Sequence, residues 1–449
     1  AQTQSVTDID VQLFQVNQDS GDRNLVFTGT VKLSSQFLPA PTPTDFYFEN
    51  PRMYAWSDEE LYKTGMFHGT RFQGVKHIRQ VSNNGIEADL EILGIDTFFS
   101  HIQEPIFQID VILIDAAAQL IAYWIAASVG VDFHTFPVQI TAFKQYQLLP
   151  PGSPVIGRGK MSFTSDRQIE ASVIFFDAVG NIIAQIECLQ EVFMFVPTKY
   201  HKCFTSPINA YLSDSYLQDK TNLVCRCLEE FSLDFLKEMG GIIAVTVAYL
   251  VLNKQEREFW YSLPEKSLRR NEWLLGRIVA KDAVRQWAKQ HFALELAPVD
   301  IQILSTSLGK PVVQVPELAN LTPLPDISIS HSQNFYVAVV SSVGLQVGID
   351  IQKLNAVRSD DWLDVAFSCL ELAMLRQLLP KNPDLLMGAW CAKEAAAKAA
   401  GIGLQGNPHQ WQITSYNFLS QEITISYDQE YFISKMYFGK EEIVAICQK

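Results

Sequence analysis

Leu386-Met-Gly-Ala-Trp-Cys-Ala-Lys-Glu-Ala-Ala-Ala-Lys-Ala-Ala-Gly401 is rich in Ala and Leu, contains no Pro and ends on a glycine. That composition predicts a helix closed by a C-terminal glycine cap. On it Trp390, Glu394 and Lys398 recur at i, i+4 and i+8 and share one face, so an aromatic, an acid and a base come together. Taken alone, Glu394 and Lys398 have the spacing of an ordinary solvated pair, worth roughly a few tenths of a kcal/mol. Upstream, Gln346-Val-Gly-Ile-Asp-Ile-Gln352 reads as an apolar strand that sets Asp350 among β-branched neighbours. An acid there is costly unless it is paired or holds a metal.

The chain has 449 residues, 48% of them hydrophobic, enough to bury sizeable cores in about two to four domains. Its net charge of −14 argues against a general nucleic-acid binder. The most apolar runs, 109–133 and 241–252, are respectively broken by Asp110, Asp115 and Gln119 and too short to cross a bilayer. Both read as buried elements, and no membrane span is expected. Seven cysteines are an odd, sparse set that points to a reducing cytoplasm, and Cys225-Arg-Cys227 lacks the second pair of a structural zinc site. The opening Ala1-Gln-Thr-Gln-Ser-Val6 resembles neither a signal peptide nor a translation start, so a piece of a longer chain is expected.

Alternation in Asp8–Phe14 and Leu25–Leu33, with turn residues Asn17–Asp22 between, predicts a β-hairpin, and Leu38-Pro-Ala-Pro-Thr-Pro43 a linker, giving a first segment 1–45. Residues 46–196 read as an α+β unit: strands at 85–93, 138–149, 160–164, 168–176 and 182–195 around an almost wholly apolar helix begun by Asp115. Residues 197–240 look like a connector, with an amphipathic helix over 228–239 stopped by Gly240-Gly241. A strand at 242–252 is expected to open the last unit, 241–449.

Val347-Gly-Ile-Asp350 followed by Trp390-Cys-Ala-Lys-Glu-Ala-Ala-Ala-Lys398 resembles the signature of Sfp-type 4′-phosphopantetheinyl transferases. Gly309-Lys-Pro311, Ser330-His-Ser332 and Phe367-Ser-Cys-Leu-Glu371 match further family segments in the same order. The resemblance covers 243–435 and implies a fold of two similar α+β halves with the active site between them. It implies magnesium, with manganese as the alternative, on Asp350 and Glu394; Gln352 stands where many relatives carry a third acid. It makes Glu394 the base, Lys398 a phosphate ligand that keeps Glu394 ionised, and Lys310, Ser330 and His331 contacts to coenzyme A. A basic helix over 265–290 would hold the 3′-phosphate through one of Arg270, Arg277 and Lys281, each as readily part of a solvated basic face. Glu371 reads as structural, and Lys393 is as readily solvent-facing as functional.

Gly65-Met-Phe-His-Gly-Thr-Arg-Phe-Gln73 and Asp115-Ala-Ala-Ala-Gln119 resemble the second half of the double hotdog dehydratases of polyketide and polyunsaturated fatty acid synthases. In that family the Asp partners a His of the first hotdog, set in H-x-x-x-G-x-x-x-x-P. No such motif is present: His68, His77, His101 and His134 lack the glycine, and Thr70 replaces the usual Pro. The resemblance places the first hotdog upstream, with the opening hairpin as its last strands. Asp115 would then be catalytic only with a supplied histidine, its structural alternative being an N-terminal helix cap.

The sequence therefore predicts an α+β chain, a hotdog-type dehydratase half-domain followed by a two-lobed, pseudo-duplicated transferase domain, similar to the tail of enediyne-type iterative synthases. The expected partners are an acyl carrier protein or domain and upstream synthase domains, with no nucleic acid and no membrane; a homodimer follows by analogy with hotdogs. The rival readings are a β-hydroxyacyl thioester dehydratase that requires the upstream hotdog, and a non-catalytic interaction module.

Overall fold

The computed structural model describes residues 6–16, 21–96, 98–102, 105–217, 223–229, 233–265, 267–318, 324–342, 344–354, 361–380 and 382–449. The chain divides into two compact units, Ala1–His201 and Lys202–Lys449. Elements of the first are β1 (Val6–Val16), β2 (Arg23–Ser34), β3 (Val75–Ser82), β4 (Gly85–Glu91), α1 (Val111–Val129), β5 (Phe133–Gln145), β6 (Pro154–Ser165), β7 (Gln168–Phe176) and β8 (Ile182–Phe195), with α2 (Thr198–Thr205) at the boundary.

β1 and β2 form the expected hairpin, its turn at 17–20 lying outside the described residues. A six-stranded antiparallel sheet in the order β3-β4-β6-β7-β8-β5 wraps α1. The helix is apolar nearly all round because the sheet surrounds it: Leu113, Ala117, Leu120, Ile121 and Trp124 are all essentially inaccessible. By length and composition α1 could cross a membrane; here it is the core of the unit. Its start differs from expectation. Asp110 is the N-cap, its Oδ1 accepting from the Ile112 and Leu113 amides at 2.9 and 3.1 Å, so Asp115 lies in the second turn with its carboxylate not engaged in capping.

The second unit contains β9 (Asp214–Tyr216), β10 (Leu223–Leu228), α3 (Leu233–Lys237), α4 (Ile242–Val251), α5 (Lys254–Ser262), α6 (Leu268–Phe292), β11 (Gln302–Ser305), β12 (Pro311–Gln314), β13 (Ile327–Ser332), β14 (Phe335–Ser341) and β15 (Val347–Lys353). It continues with α7 (Trp362–Ala366), α8 (Cys369–Arg376), α9 (Leu385–Ala399), β16 (Gln412–Asn417), β17 (Glu422–Tyr427), β18 (Glu430–Phe438) and β19 (Glu442–Gln448). Two lobes result, each a long helix on an antiparallel sheet. α6 packs on β13-β14-β10-β9, and α9 on β15-β19-β18-β17-β16. β11 pairs with β12 alone.

Three expectations are corrected. The run 242–252 is the helix α4, not a strand, with Ile243, Ala244, Val247, Ala248 and Val251 buried at helical spacing; a short, wholly apolar run carries no periodicity that separates the two. Segment 197–240 is not a connector, since β9 and β10 complete the first lobe's sheet. Its polar residues are buried partners of α6: Arg226 reaches Ser213 at 2.8 Å and Gln286 at 2.5 Å, and Ser213 donates to Asp282 at 2.8 Å. Buried pairing looks like surface polarity in a sequence. The helix expected over 228–239 is reduced to α3, residues 230–232 lying outside the described set.

Candidate functional site

The two lobes of the second unit are joined by side chains that recur every second residue from Asp326, just before β13, to Ser332 at its end. Asp326 Oδ2, Ser328 Oγ and Ser332 Oγ accept the amides of Val347, Ile349 and Lys353 at 2.9, 3.0 and 3.1 Å, so alternate residues of one strand satisfy the open edge of β15. Ser330, on the same face, meets not an amide but Asp350, donating to its Oδ1 at 2.7 Å.

Helix α9 brings the third member. A Cβ on Gly348 would stand 1.9 Å from the Ala395 carbonyl oxygen and 2.5 Å from the Ala399 amide, so only glycine lets the helix lie this close to β15. Gly401, at φ +78°, then ends the helix with its amide bonded to the Lys398 carbonyl, as the sequence predicts. Lys398 Nζ consequently donates to Asp350 Oδ1 at 2.7 Å and to Ser330 Oγ at 2.8 Å, while Gln352 Nε2 donates to Asp350 Oδ2 at 3.0 Å. Asp350 is 1% exposed. Burial by itself raises its carboxyl, but the Lys398 ammonium and the three hydrogen bonds outweigh that and hold it below the usual carboxylate range. Burial lowers Lys398, yet Asp350 and Glu394 together hold it above its ordinary value. Glu394, half-buried one turn before Lys398, thus adds its charge to the same centre.

Asp350, Glu394 and the Gln352 amide are hard oxygen donors, and among the described residues no group of three His, Cys, Asp or Glu side chains is placed to hold a metal. A cation here would have two carboxylates, an amide oxygen and solvent, a set that suits a magnesium ion retaining several waters.

His331, exposed at the end of β13, stacks on Tyr336 with ring centroids 5.3 Å apart. Lys310 is tied elsewhere, its ammonium 2.8 Å from Asp326 and 3.4 Å from the Ala399 carbonyl, where it stabilises the negative end of α9. On α6, Arg270 and Arg277 lie over the rings of Trp260 and Trp273 at 3.9 and 4.4 Å, and among the described residues their buried Nε atoms have no hydrogen-bond partner. Lys281 is corrected: it is 0% exposed, and its ammonium is satisfied by Glu256 at 2.5 Å and the Val251 carbonyl at 2.7 Å. It braces α6 against α4 and α5 and offers a phosphate nothing. Lys393 is not solvent-facing: it is fully buried 2.7 Å from Glu371, which also caps α8 and accepts the Ile413 amide.

In the first unit, Asp115 Oδ2 accepts from Gln119 Nε2 at 2.6 Å and stands 3.5 Å from His68 Nε2. The family's histidine motif does not reveal this neighbour, because Phe72 stands four residues after His68 where that motif has glycine. The sequence signal was His68 itself, inside the segment that matches the dehydratases.

Comparison with known proteins agrees with both halves. Residues 346–447 match the 4′-phosphopantetheinyl transferase superfamily, and residues 56–190 match the polyketide synthase dehydratase N-terminal domain. That description names the first dehydratase half, whereas the motifs resemble the second; both liken the segment to a dehydratase hotdog. The holo-[acyl-carrier-protein] synthase of Halalkalibacterium halodurans is 34% identical over 90 residues, covering 20% of this chain and 71% of the relative. The L-aminoadipate-semialdehyde dehydrogenase-phosphopantetheinyl transferase of Schizosaccharomyces pombe is 31% identical over 134 residues, 26% of this chain and 48% of the relative, so the chain spans about half of that protein. Among solved structures, the dehydratase domain of PpsC from Mycobacterium tuberculosis aligns at 18% identity and a TM-score of 0.32 over 42% of this chain and 65% of that one. By its C-terminal strand, helix and sheet, the chain belongs to the 4′-phosphopantetheinyl transferase superfamily.

Proposed function

We propose that the second unit transfers 4′-phosphopantetheine from coenzyme A to a serine of an acyl carrier protein or carrier domain. The observation that carries this reading is the meeting of Ser330, Asp350 and Lys398 where the two lobes join, with Glu394 one turn away on α9. The carrier serine oxygen attacks the phosphorus that bears the pantetheine. A new O–P bond forms, the pyrophosphate bond breaks, and adenosine bisphosphate leaves.

Glu394 receives the serine proton, directly or through a water. Lys398 is positioned to turn its ammonium from Asp350 toward the departing phosphate. Asp350, Glu394 and the Gln352 amide would hold a magnesium ion, or manganese in its place, which would supply neutralising charge at the pyrophosphate. His331 and Ser330 line the approach at the end of β13. Arg270 and Arg277 have free Nε donors for the outlying phosphate, and Lys310 joins only by exchanging Asp326 for an anion. All seven cysteines are thiols rather than disulfides, which supports a reducing, cytoplasmic setting.

The test is incubation of the full chain with coenzyme A, magnesium and a purified apo carrier domain, following the carrier's mass. The expected result is a gain of one phosphopantetheine, with a rate lowered at least about 100-fold in Glu394→Gln. No gain with several carriers, in magnesium or manganese, overturns the reading.

A further inference from the structure

Strand alternation sends the side chains at the end of β13 to two sides. Ser330 and Ser332 are spent on β15, the first on Asp350 at 2.7 Å and the second on the Lys353 amide at 3.1 Å. His331 stands between them and so points the other way, with Ile329, toward α6, where a Cβ on Gly276 would lie 3.8 Å from the Ile329 methyl. That helix carries Arg270 and Arg277. The chain reverses over Gln333-Asn334, with Gln333 at φ +53°, which pairs His331 with Tyr336 across β13 and β14. Residues paired across antiparallel strands share a face, so Tyr336 is turned toward α6 as well. The two rings lie parallel to within 5°, their centroids 5.3 Å apart. Among the described residues the exposed His331 imidazole takes part in no hydrogen bond and no ion pair, so the stack is what fixes it.

Hydrogen bonding does not account for a tyrosine at this place. Tyr336 is 1% exposed, and among the described residues its buried Oη has no hydrogen-bond partner. Burial pushes the phenol up to about 12, the Glu272 carboxylate of α6 assisting. A buried hydroxyl left without a partner is worse for the fold than none, so the part of Tyr336 that the fold uses is its ring. The ring is a rigid floor beneath His331. An imidazole lying flat on it carries both nitrogens at its rim, in the plane of the stack, where an anion can accept from them. A side chain already pinned in that plane also gives up less freedom when it binds.

We infer that Tyr336 is a positioning residue for coenzyme A, its ring holding the His331 imidazole in the plane from which it meets the outlying 3′-phosphate. The inference rests on the transferase reading above. The outlying phosphate is assigned, rather than the reacting pyrophosphate, because His331 faces α6, where Arg270 and Arg277 keep buried Nε atoms without a hydrogen-bond partner among the described residues. Ser330, on the opposite side of β13, belongs with Asp350 and Lys398. Tyr336 itself touches no part of the coenzyme and acts through His331 alone.

The test is calorimetric titration of the full chain with coenzyme A and, separately, with 3′-dephospho-coenzyme A. Tyr336→Leu, which removes the stack, is expected to weaken coenzyme A binding about 3- to 10-fold, the range of one aromatic pair. Its affinity for 3′-dephospho-coenzyme A is expected to stay that of the wild type. Tyr336→Phe keeps the ring and is expected to bind coenzyme A within about 2-fold of the wild type. His331→Ala alone and His331→Ala combined with Tyr336→Leu are expected to bind equally, since one residue acts through the other. Where Tyr336→Leu loses its fold by circular dichroism, Tyr336→Met replaces it. A folded variant without the ring that binds coenzyme A as the wild type does overturns the inference. So do equal losses toward both ligands, losses that add in the double variant, or a wild-type chain that binds no coenzyme A. Binding that follows the expected pattern without transfer to any carrier overturns the transferase reading and leaves the role of Tyr336 standing.

Discussion

Replacing Lys398 by Met keeps the length of the stem and removes the ammonium that faces Asp350 Oδ1 at 2.7 Å. Asp350, 1% exposed, then retains hydrogen bonds from Ser330 and Gln352 but no opposite charge at bonding distance. Removing one partner of a buried pair costs about 3–5 kcal/mol. Because the Lys398 side chain is 30% exposed, the lower end applies, about 3 kcal/mol at neutral pH. The sign of the pH dependence follows from the carboxyl. In the wild type it lies below the ordinary range, so its contribution is present above the unfolded value and is lost as pH falls through the folded one. In Lys398→Met burial prevails and the carboxyl moves up, so the deficit is largest at neutral pH and shrinks in acid as Asp350 protonates. Urea unfolding of the full chain, read by tryptophan fluorescence at several pH values, measures this for Lys398→Met, Asp350→Asn and the double variant. A coupling energy of about 2 kcal/mol is expected. A cost below about 0.5 kcal/mol, strict additivity, or a deficit that does not depend on pH would refute the account of the site.

Gly348→Ala puts a methyl 1.9 Å from the Ala395 carbonyl oxygen, and backbone rather than a flexible side chain must yield. A loss of about 3 kcal/mol is expected, with faster amide exchange across α9 and β15; a variant within 0.5 kcal/mol of the parent would show that α9 does not lie this close. In the first unit, Glu191 is 0% exposed and burial pushes its carboxyl up to about 7, Thr135 opposing and Asp115 assisting. Its raised value means that the folded state binds the extra proton, so this group's contribution to stability falls as pH rises from about 4.5 to about 7 and is level above. Glu191→Gln should therefore gain about 3 kcal/mol on the parent between pH 4.5 and pH 8, read as converging or crossing denaturation midpoints. Parallel pH profiles would refute it.

The transferase half was readable from the chain because its constraints are local. Gly348 precedes Asp350 by two residues since the glycine admits the helix to the strand that presents the acid. Glu394 and Lys398 follow helical spacing, and Asp326, Ser328, Ser330 and Ser332 follow the period of a strand whose one face is spent on its neighbour. Such periods are fixed by backbone geometry, so they survive in one dimension. The hotdog helix and its strands were readable for the same reason. What failed were α4, whose almost wholly apolar ten residues fit helix and strand alike, and β9 and β10, whose polar residues are paired in the interior.

Commitment of a side chain is a different kind of fact, because it depends on partners far away in sequence. Lys281 and Lys398 both lie on long helices, yet one is fully buried against Glu256 and the other is held against Asp350 with part of its surface in solvent. Lys310 and Arg270 both read as phosphate ligands, and only folding gives the first to Asp326 and leaves the second an unpaired Nε. His68 and Asp115 are far apart along the chain and share no recognised motif. The loop held by Gln119 and Tyr62 brings them to 3.5 Å, a distance that chain order does not encode and packing does.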